Sequence, residues 1–250
     1  MTQLALVLVT GAAVGFLGGL LGKGGSAIAT PILAAVGVPP MIAVAAPLPA
    51  TVPSTLVAAD EYRKRGLLDM AILRWSIIAG LPATVVGAVL TRWISGDVLV
   101  YVTDVVIVVL GVRLLSRSHT AEVVAEVDPA AERRRTIAVA IVVGLAAGLL
   151  ANSGGFLLAP LFITVLGVPV KPALGTSLAV AAALAVPGTA VHFALGHLDW
   201  AVVAVFGLGS IPLSRLGARV ALRIDAARLE RFYGAALILL GGGFLLKALI

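Results

Sequence analysis

Two glycine-rich breaks interrupt the apolar runs of this chain at corresponding places. Gly22-Lys23-Gly24-Gly25-Ser26 follows the run Leu4–Leu21, and Ala151-Asn152-Ser153-Gly154-Gly155 follows Ile137–Leu150 about 130 residues later. The sequence is 60% hydrophobic and 12% charged, with a mean hydropathy of +1.13. A water-soluble domain of 250 residues cannot hide so much apolar surface, so the fold class is an all-α integral membrane protein. Continuous rather than alternating apolar runs disfavour a barrel. In hydrocarbon, irregular backbone survives only where protein buries it or where it lines a cavity. A lone cation such as Lys23 at that depth is expensive and marks a candidate site. Paired breaks in two halves point to a transporter with its substrate between them.

Charge and composition narrow the partners. The formal charge is +6, but the basic residues flank apolar segments, so membrane orientation explains them better than nucleic acid does. The absence of cysteine removes disulfide and thiol chemistry. Met1-Thr2-Gln3 lacks the cationic start of a signal peptide, so Leu4–Leu21 reads as part of the mature protein.

The chain divides into a first repeat at 1–115, a polar linker at 116–135 and a second repeat at 136–250. Gly15, Gly19, Gly25 and Pro31 match Gly144, Gly148, Gly154 and Pro160 at an offset of 129. Gly37-Val38-Pro39, Gly66, Asp69, Pro82 and Gly87 match Gly167-Val168-Pro169, Gly196, Asp199, Pro212 and Gly217 at an offset of 130. Shared Gly, Pro and Asp in one register indicate a duplication. Each half reads as five apolar segments: Leu4–Leu21, Ser26–Gly37, Met41–Ala59, Met70–Trp93 and Val98–Leu115, then Ile137–Leu150, Phe156–Gly167, Ala173–Leu195, Trp200–Leu222 and Phe232–Ile250. Ser26–Gly37 and Phe156–Gly167 would reach about 18 Å as helices, short of the roughly 30 Å hydrocarbon core. Each half therefore reads as a re-entrant or broken helix hairpin followed by three transmembrane helices. With three net crossings per half, 15 of the 18 Lys and Arg residues share one side, leaving Arg92 and Lys247 opposite and Lys23 at mid-depth. The positive-inside rule prefers this odd count, which makes the repeats inverted and both termini extracytoplasmic; five thin spans per half would sort charge equally well, so the count fixes parity and not hairpin depth. The basic linker is then cytoplasmic.

The two breaks are expected to meet near the midplane. Gly24, Gly25, Gly154 and Gly155 permit tight turns, and short helices beginning at Ser26 or Gly25 and at Ser153 or Gly154 would point free N–H groups and positive dipole ends at an anion. Lys23 adds a charge, and Asn152 and Ser153 add neutral donors. The blander alternative is close helix packing with Lys23 snorkelling. The stretch Pro47-Leu48-Pro49-Ala50-Thr51-Val52-Pro53-Ser54-Thr55 is not expected to be a straight helix. Thr51, Ser54, Thr176 and Ser177 then either line the pathway or repair the backbone bonds that prolines free. Asp104 is the candidate for proton coupling, with interfacial water or a basic neighbour as the alternative. His192 and His197 read as interfacial, with pH sensing as the alternative; Asp69 and Asp199 read as helix N-caps; and Arg215, Arg219 and Arg223 read as an anchoring stripe, with anion attraction as the lesser alternative. No His-Glu-x-x-His, Gly-x-Ser-x-Gly or metal-ligand spacing is present, so an enzyme, a metal site and a cofactor are not expected.

Gly18-Gly19-Leu20-Leu21-Gly22-Lys23-Gly24-Gly25 through Pro31 and Gly37-Val38-Pro39 resembles the half-repeat of the TauE/SafE family of sulfite exporters. Gly148-Leu149-Leu150-Ala151-Asn152-Ser153-Gly154-Gly155-Phe156 through Pro160 and Gly167-Val168-Pro169 resembles its second copy, and Gly175-Thr176-Ser177-Leu178 fits too. Lys23, Ser26 and Ala46-Pro47-Leu48 depart from the pattern. The resemblance implies a multi-pass protein of the cell inner (plasma) membrane that moves sulfite, sulfonates or related small anions. The reading is a secondary carrier working by alternating access of two inverted halves. Its partners are a small anion, the lipid bilayer and possible second copies in a homodimer, with no nucleic acid. A passive anion channel and a non-transporting membrane scaffold are the alternatives.

Overall fold

A computed structural model describes residues 2–22, 26–90, 108–109, 112–113, 115–116, 128–150 and 153–249. They form α1 (Thr2–Leu21), α2 (Ser26–Ala35), α3 (Pro40–Ala45), α4 (Pro47–Arg63), α5 (Met70–Leu90), α6 (Pro129–Leu149), α7 (Gly155–Thr164), α8 (Val170–Ala194), α9 (Trp200–Arg223) and α10 (Ala226–Leu249). The expected segment Val98–Leu115, and with it Asp104, lies almost wholly outside the described residues. Among the described residues, five stretches are long and apolar enough to cross a bilayer: Gln3–Leu21, Met41–Arg63, Met70–Leu90, Val170–Ala194 and Trp200–Arg223. The protein is an all-α membrane protein.

Local signals set the helix ends. Asp69 Oδ1 accepts from the Ala71 and Ile72 N–H groups, and Asp199 Oδ1 accepts from those of Ala201 and Val202. These caps satisfy orphan donors at the starts of α5 and α9. Gly66 (φ +68°) and Gly196 (φ +70°) occupy the left-handed turn in front of them, so the matched Gly-x-Leu-Asp tetrads fold alike.

Two boundaries differ from expectation. Residues 47–55 are helical: Pro47 opens α4, and Pro47 and Pro49 sit in its first turn, where an amide has no intrahelical acceptor to lose. Helices α3 and α4 meet at Ala46, whose own backbone is helical (φ −61°, ψ −32°), and Pro53 alone stands inside α4. Helix α6 starts at Pro129, capped by Asp128, so its first two turns use residues that read as linker.

The packing crosses between halves. Helix α1 lies against α9, and its counterpart α6 lies against α5. Both seams are built on the glycines that the halves share. A Cβ on Gly15 or Gly19 would collide with the Ser210 or Ser214 carbonyl, and one on Gly217 with that of Phe16. On the other seam, Gly148 meets the Thr84 carbonyl and Gly87 that of Leu145. Small residues every fourth position let backbones approach this closely, and in lipid such van der Waals contact drives association. Between the seams α4 packs on α8, with Leu48 against Gly188 at one end and Tyr62 against Gly175 at the other. These matched helices therefore run antiparallel.

Basic residues gather where α4 ends and α5 begins. Arg215 Nε lies 2.5 Å and Arg219 Nη2 3.1 Å from Glu61 Oε1, tying α9 to α4. Arg133 stacks over Trp75, joining the starts of α6 and α5. Lys171 Nζ donates to the Leu222 carbonyl at 3.1 Å, where α9 ends. The stripe read as an anchor is thus paired with a buried carboxylate at two of its three positions. At an offset of 130, the counterparts of Glu61, Arg215 and Arg219 are Val191, Val85 and Val89, so this cluster belongs to one end.

Candidate functional site

The first break is clasped by the second half. Helix α1 ends at Leu21, and Ser177 Oγ lies within donating distance of the Gly22 carbonyl at 2.9 Å, sharing its one hydrogen with the Leu174 carbonyl at 2.8 Å. A Cβ on Gly22 would stand 2.9 Å from Leu174 Cα, so the chain runs against α8 here. The neighbours of Ser177 are engaged as well. Thr176 Oγ1 accepts from the Asp69 N–H at 2.9 Å, and Gly175 makes room for the Tyr62 ring. Gly175-Thr176-Ser177 thereby binds α1, α4 and the start of α5 at one place. Helix α2 begins at Ser26, as expected, so its N-terminus faces the break. Lys23, Gly24 and Gly25 lie outside the described residues. Ser177→Ala is expected to remove about 1 kcal/mol of a buried hydrogen bond. Thermal unfolding of the purified variant should then show a midpoint lower by roughly 2–4 °C.

The second break is held differently. Gly154 (φ +64°) is the N-cap of α7, and a Cβ there would press on Val143 Cγ1 at 2.7 Å. Ser153 is buried beside it, whereas Asn152 lies outside the described residues. Gly155 opens α7 and is buried. In the first half the position of Ser177 is taken by Pro47, which has no hydroxyl to offer a carbonyl. The departure noted at Ala46-Pro47-Leu48 therefore removes the symmetric clasp.

Thr51 and Ser54 come together with two residues the sequence reading missed. Ser54 Oγ lies 2.9 Å from Ser210 Oγ, and Ser214 Oγ donates to the Ser54 carbonyl at 2.9 Å. Thr51, Ser54, Thr55, Ser210 and Ser214 line a cavity of about 10 Å³ together with Phe206, and Val14, Gly15 and Gly18 close it on the α1 side. Such a space holds about one water-sized occupant. Gly18 precedes Gly22 by one helical turn, so the cavity sits about 6 Å along α1 from the break. Ser210 and Ser214 were legible in principle: they stand four apart and so share a face of α9. Tyr62 was also missed. It is fully buried against Gly175, and its hydroxyl has no hydrogen-bond partner.

Other features lie apart from this region. His192 and His197 face each other, Nδ1 to Nδ1, at 3.2 Å beside the Gly196 turn. A larger cleft of about 550 Å³ opens between the starts of α5 and α6, lined by Trp75, Asp128, Glu132 and Arg133. It contains none of the expected site residues, and size alone does not make it the site. No group of three potential metal ligands occurs among the described residues.

The chain matches the family model described as sulfite exporter TauE/SafE over residues 7–244. It is 28% identical over 248 residues to a "Probable membrane transporter protein" of Xylella fastidiosa (strain 9a5c), covering 94% of this chain and 92% of that one. It is 26% identical over 247 residues to "Probable membrane transporter protein YjnA" of Bacillus subtilis (strain 168), covering 94% and 97%. No solved structure matches the chain.

Proposed function

Because the chain belongs to the sulfite exporter TauE/SafE family and is a membrane transporter, we propose that it is a secondary carrier of a small oxyanion, sulfite or an organosulfonate. The observation that supports the site is the Ser177–Gly22 hydrogen bond, which sets the break of one half against a helix of the other. The anion binds at that break. The positive end of α2 and the charge of Lys23 attract it, and the buried Tyr62 hydroxyl is available as a donor nearby. Gly24, Gly25 and Ser26 supply backbone amides. Asn152, Ser153, Gly154 and Gly155 play the matching part in the second half.

The antiparallel α4–α8 pair and the crossed seams support inverted repeats, with the basic cluster cytoplasmic and both termini outside the inner membrane. The crossed seams also refine what moves. One body joins α1 to α9 and the other joins α6 to α5, so each contains pieces of both halves. Rocking of these composite bodies about α4 and α8 would expose the break to either side in turn.

Counterflow in proteoliposomes tests the reading. Vesicles preloaded with unlabelled sulfite should accumulate labelled sulfite transiently and with saturation, and the same assay should be run with a sulfonate. Flux that rises linearly with concentration would favour a channel. No flux of sulfite, sulfonate or small carboxylate would overturn the carrier.

A further inference from the structure

Two arginines share one carboxylate oxygen where α4 meets α9. Arg215 Nε and Arg219 Nη2 take the same atom, Glu61 Oε1, as their nearest partner. An arginine binds a carboxylate best as a fork, through two parallel N–H···O bonds to two oxygens. Here two forks converge on a single atom. Charge does not balance either, since one carboxylate leaves a surplus positive charge on two guanidinium groups. The Glu61 side chain is 11% exposed, whereas those of Arg215 and Arg219 are 41% and 49% exposed. The surplus charge therefore faces outward from a buried anchor, where it attracts anions. The other cations of this corner are engaged locally, because Arg63 and Lys64 both pair with Asp60.

The pair stands level with the first break. Helices α1 and α9 run side by side in the same direction, since a Cβ on Gly11, Gly15 or Gly19 would meet Phe206, Ser210 or Ser214 in turn. Arg215 and Arg219 lie about 1.5 and 7.5 Å further along than Ser214, and Gly22 lies about 4.5 Å further along than Gly19. The two arginines thus bracket the level at which α1 ends. Glu61 reaches the same place from α4, where its neighbour Tyr62 packs on Gly175, beside the Leu174 that meets Gly22. Glu61 stands two residues before the end of α4 at Arg63, so a rotamer change can carry its carboxylate out of the pair toward the helix end. The matching residues in the other half are valines, so an anion meets such a pair on one side only.

We infer that Arg215 and Arg219 form an anion-binding site that Glu61 fills when no substrate is present, and that an incoming oxyanion replaces Glu61 on the two guanidinium groups before it moves to the break. A sulfite or sulfonate group carries three oxygens, enough to give each fork an acceptor of its own. Because the anion and Glu61 exchange, the two cations are never left without a negative partner. Competition by Glu61 also keeps the affinity modest, which lets the anion leave again. Passage to the break rests on the carrier reading, whereas binding at the arginines does not.

The test pairs a binding readout with a flux readout. Purified protein is heated in graded sodium sulfite, with sodium chloride at equal ionic strength as the baseline, and counterflow is measured in proteoliposomes. A ligand that binds only the folded state raises the unfolding midpoint with saturation. Glu61→Gln keeps the shape and removes the competitor, so the half-saturating sulfite concentration should fall about tenfold. Arg219→Gln should raise it about tenfold, the loss of one charged partner. Both shifts should persist in a Lys23→Gln background, where the break contributes little. Arg223→Gln removes the third charge of the stripe, outside the pair, and at matched ionic strength should change the value by no more than about twofold. Where a variant misfolds, Glu61→Asp draws the carboxylate back by one methylene, and Arg219→Lys keeps the charge but loses the fork. Equal half-saturation in wild type, Glu61→Gln and Arg219→Gln would overturn the arginine site, and persisting counterflow would leave the carrier standing. Equal weakening by Arg219→Gln and Arg223→Gln would also overturn it, because a general field would then be the cause. Both expected shifts in a protein without counterflow would uphold the arginine site and overturn the carrier.

Discussion

Leucine in place of Gly148 is expected to leave no monodisperse protein after extraction from the membrane. A Cβ there would stand 2.6 Å from Ala88 N and closer still to the Thr84 carbonyl oxygen. These are backbone atoms of α5, which cannot swing aside as a side-chain tip can. Overpacking a yielding core costs about 1–3 kcal/mol, and a rigid seam costs more. A typical margin of roughly 5–15 kcal/mol does not absorb that along a whole helix pair. Gly188→Ala is the control. Its Cβ would meet only the Leu48 methyls, at 3.4 and 3.8 Å, so the variant should elute as the wild type does. Size-exclusion profiles of the two variants check both statements. A sharp, wild-type-like peak for Gly148→Leu would show that the α5–α6 seam is not the close contact described.

Lys23→Gln is expected to raise the KM for the anion at least about tenfold, with the protein still folded. Glutamine keeps a polar side chain of similar reach and deletes the charge. A hydrogen bond to a charged group is worth about 1.5–3 kcal/mol, and each 1.4 kcal/mol is tenfold in affinity. If Lys23 lies at membrane depth, removing its charge should leave the unfolding midpoint level or higher. Initial rates of sulfite uptake at graded concentrations give the answer. An unchanged KM takes Lys23 out of the site and leaves it a snorkelling residue.

Helix spans were legible because composition forces them: long apolar runs admit little but helices. The glycines that the two halves share and the Asp69 and Asp199 caps reappear in the structure as seams and helix starts. Partner choice was not legible. Gly15 and Gly144 announce a close neighbour, yet nothing in their spacing says that α9 serves one and α5 the other, because every helix in an apolar bundle is equally greasy. Prolines misled for a related reason. Pro47 and Pro49 read as breakers, but in a first turn their missing N–H groups cost nothing. Thr51 and Ser54 stood out as hydroxyls among apolar residues. The direction of their hydrogens could not be read, since it depends on which carbonyl lies within reach. Tyr62 was hidden because one more aromatic residue near a helix end carries no signal until its hydroxyl is seen to be stranded.

The crossed seams reach back into biosynthesis. Residues 2–21 leave the ribosome long before residues 200–223, the surface they finally rest on. Until then α1, with its glycine edge, must wait in the translocon or in lipid without the helix it packs on. Neither half made alone should mature, while both made together as separate chains should reassemble. Early truncations of such a chain become substrates for membrane quality control.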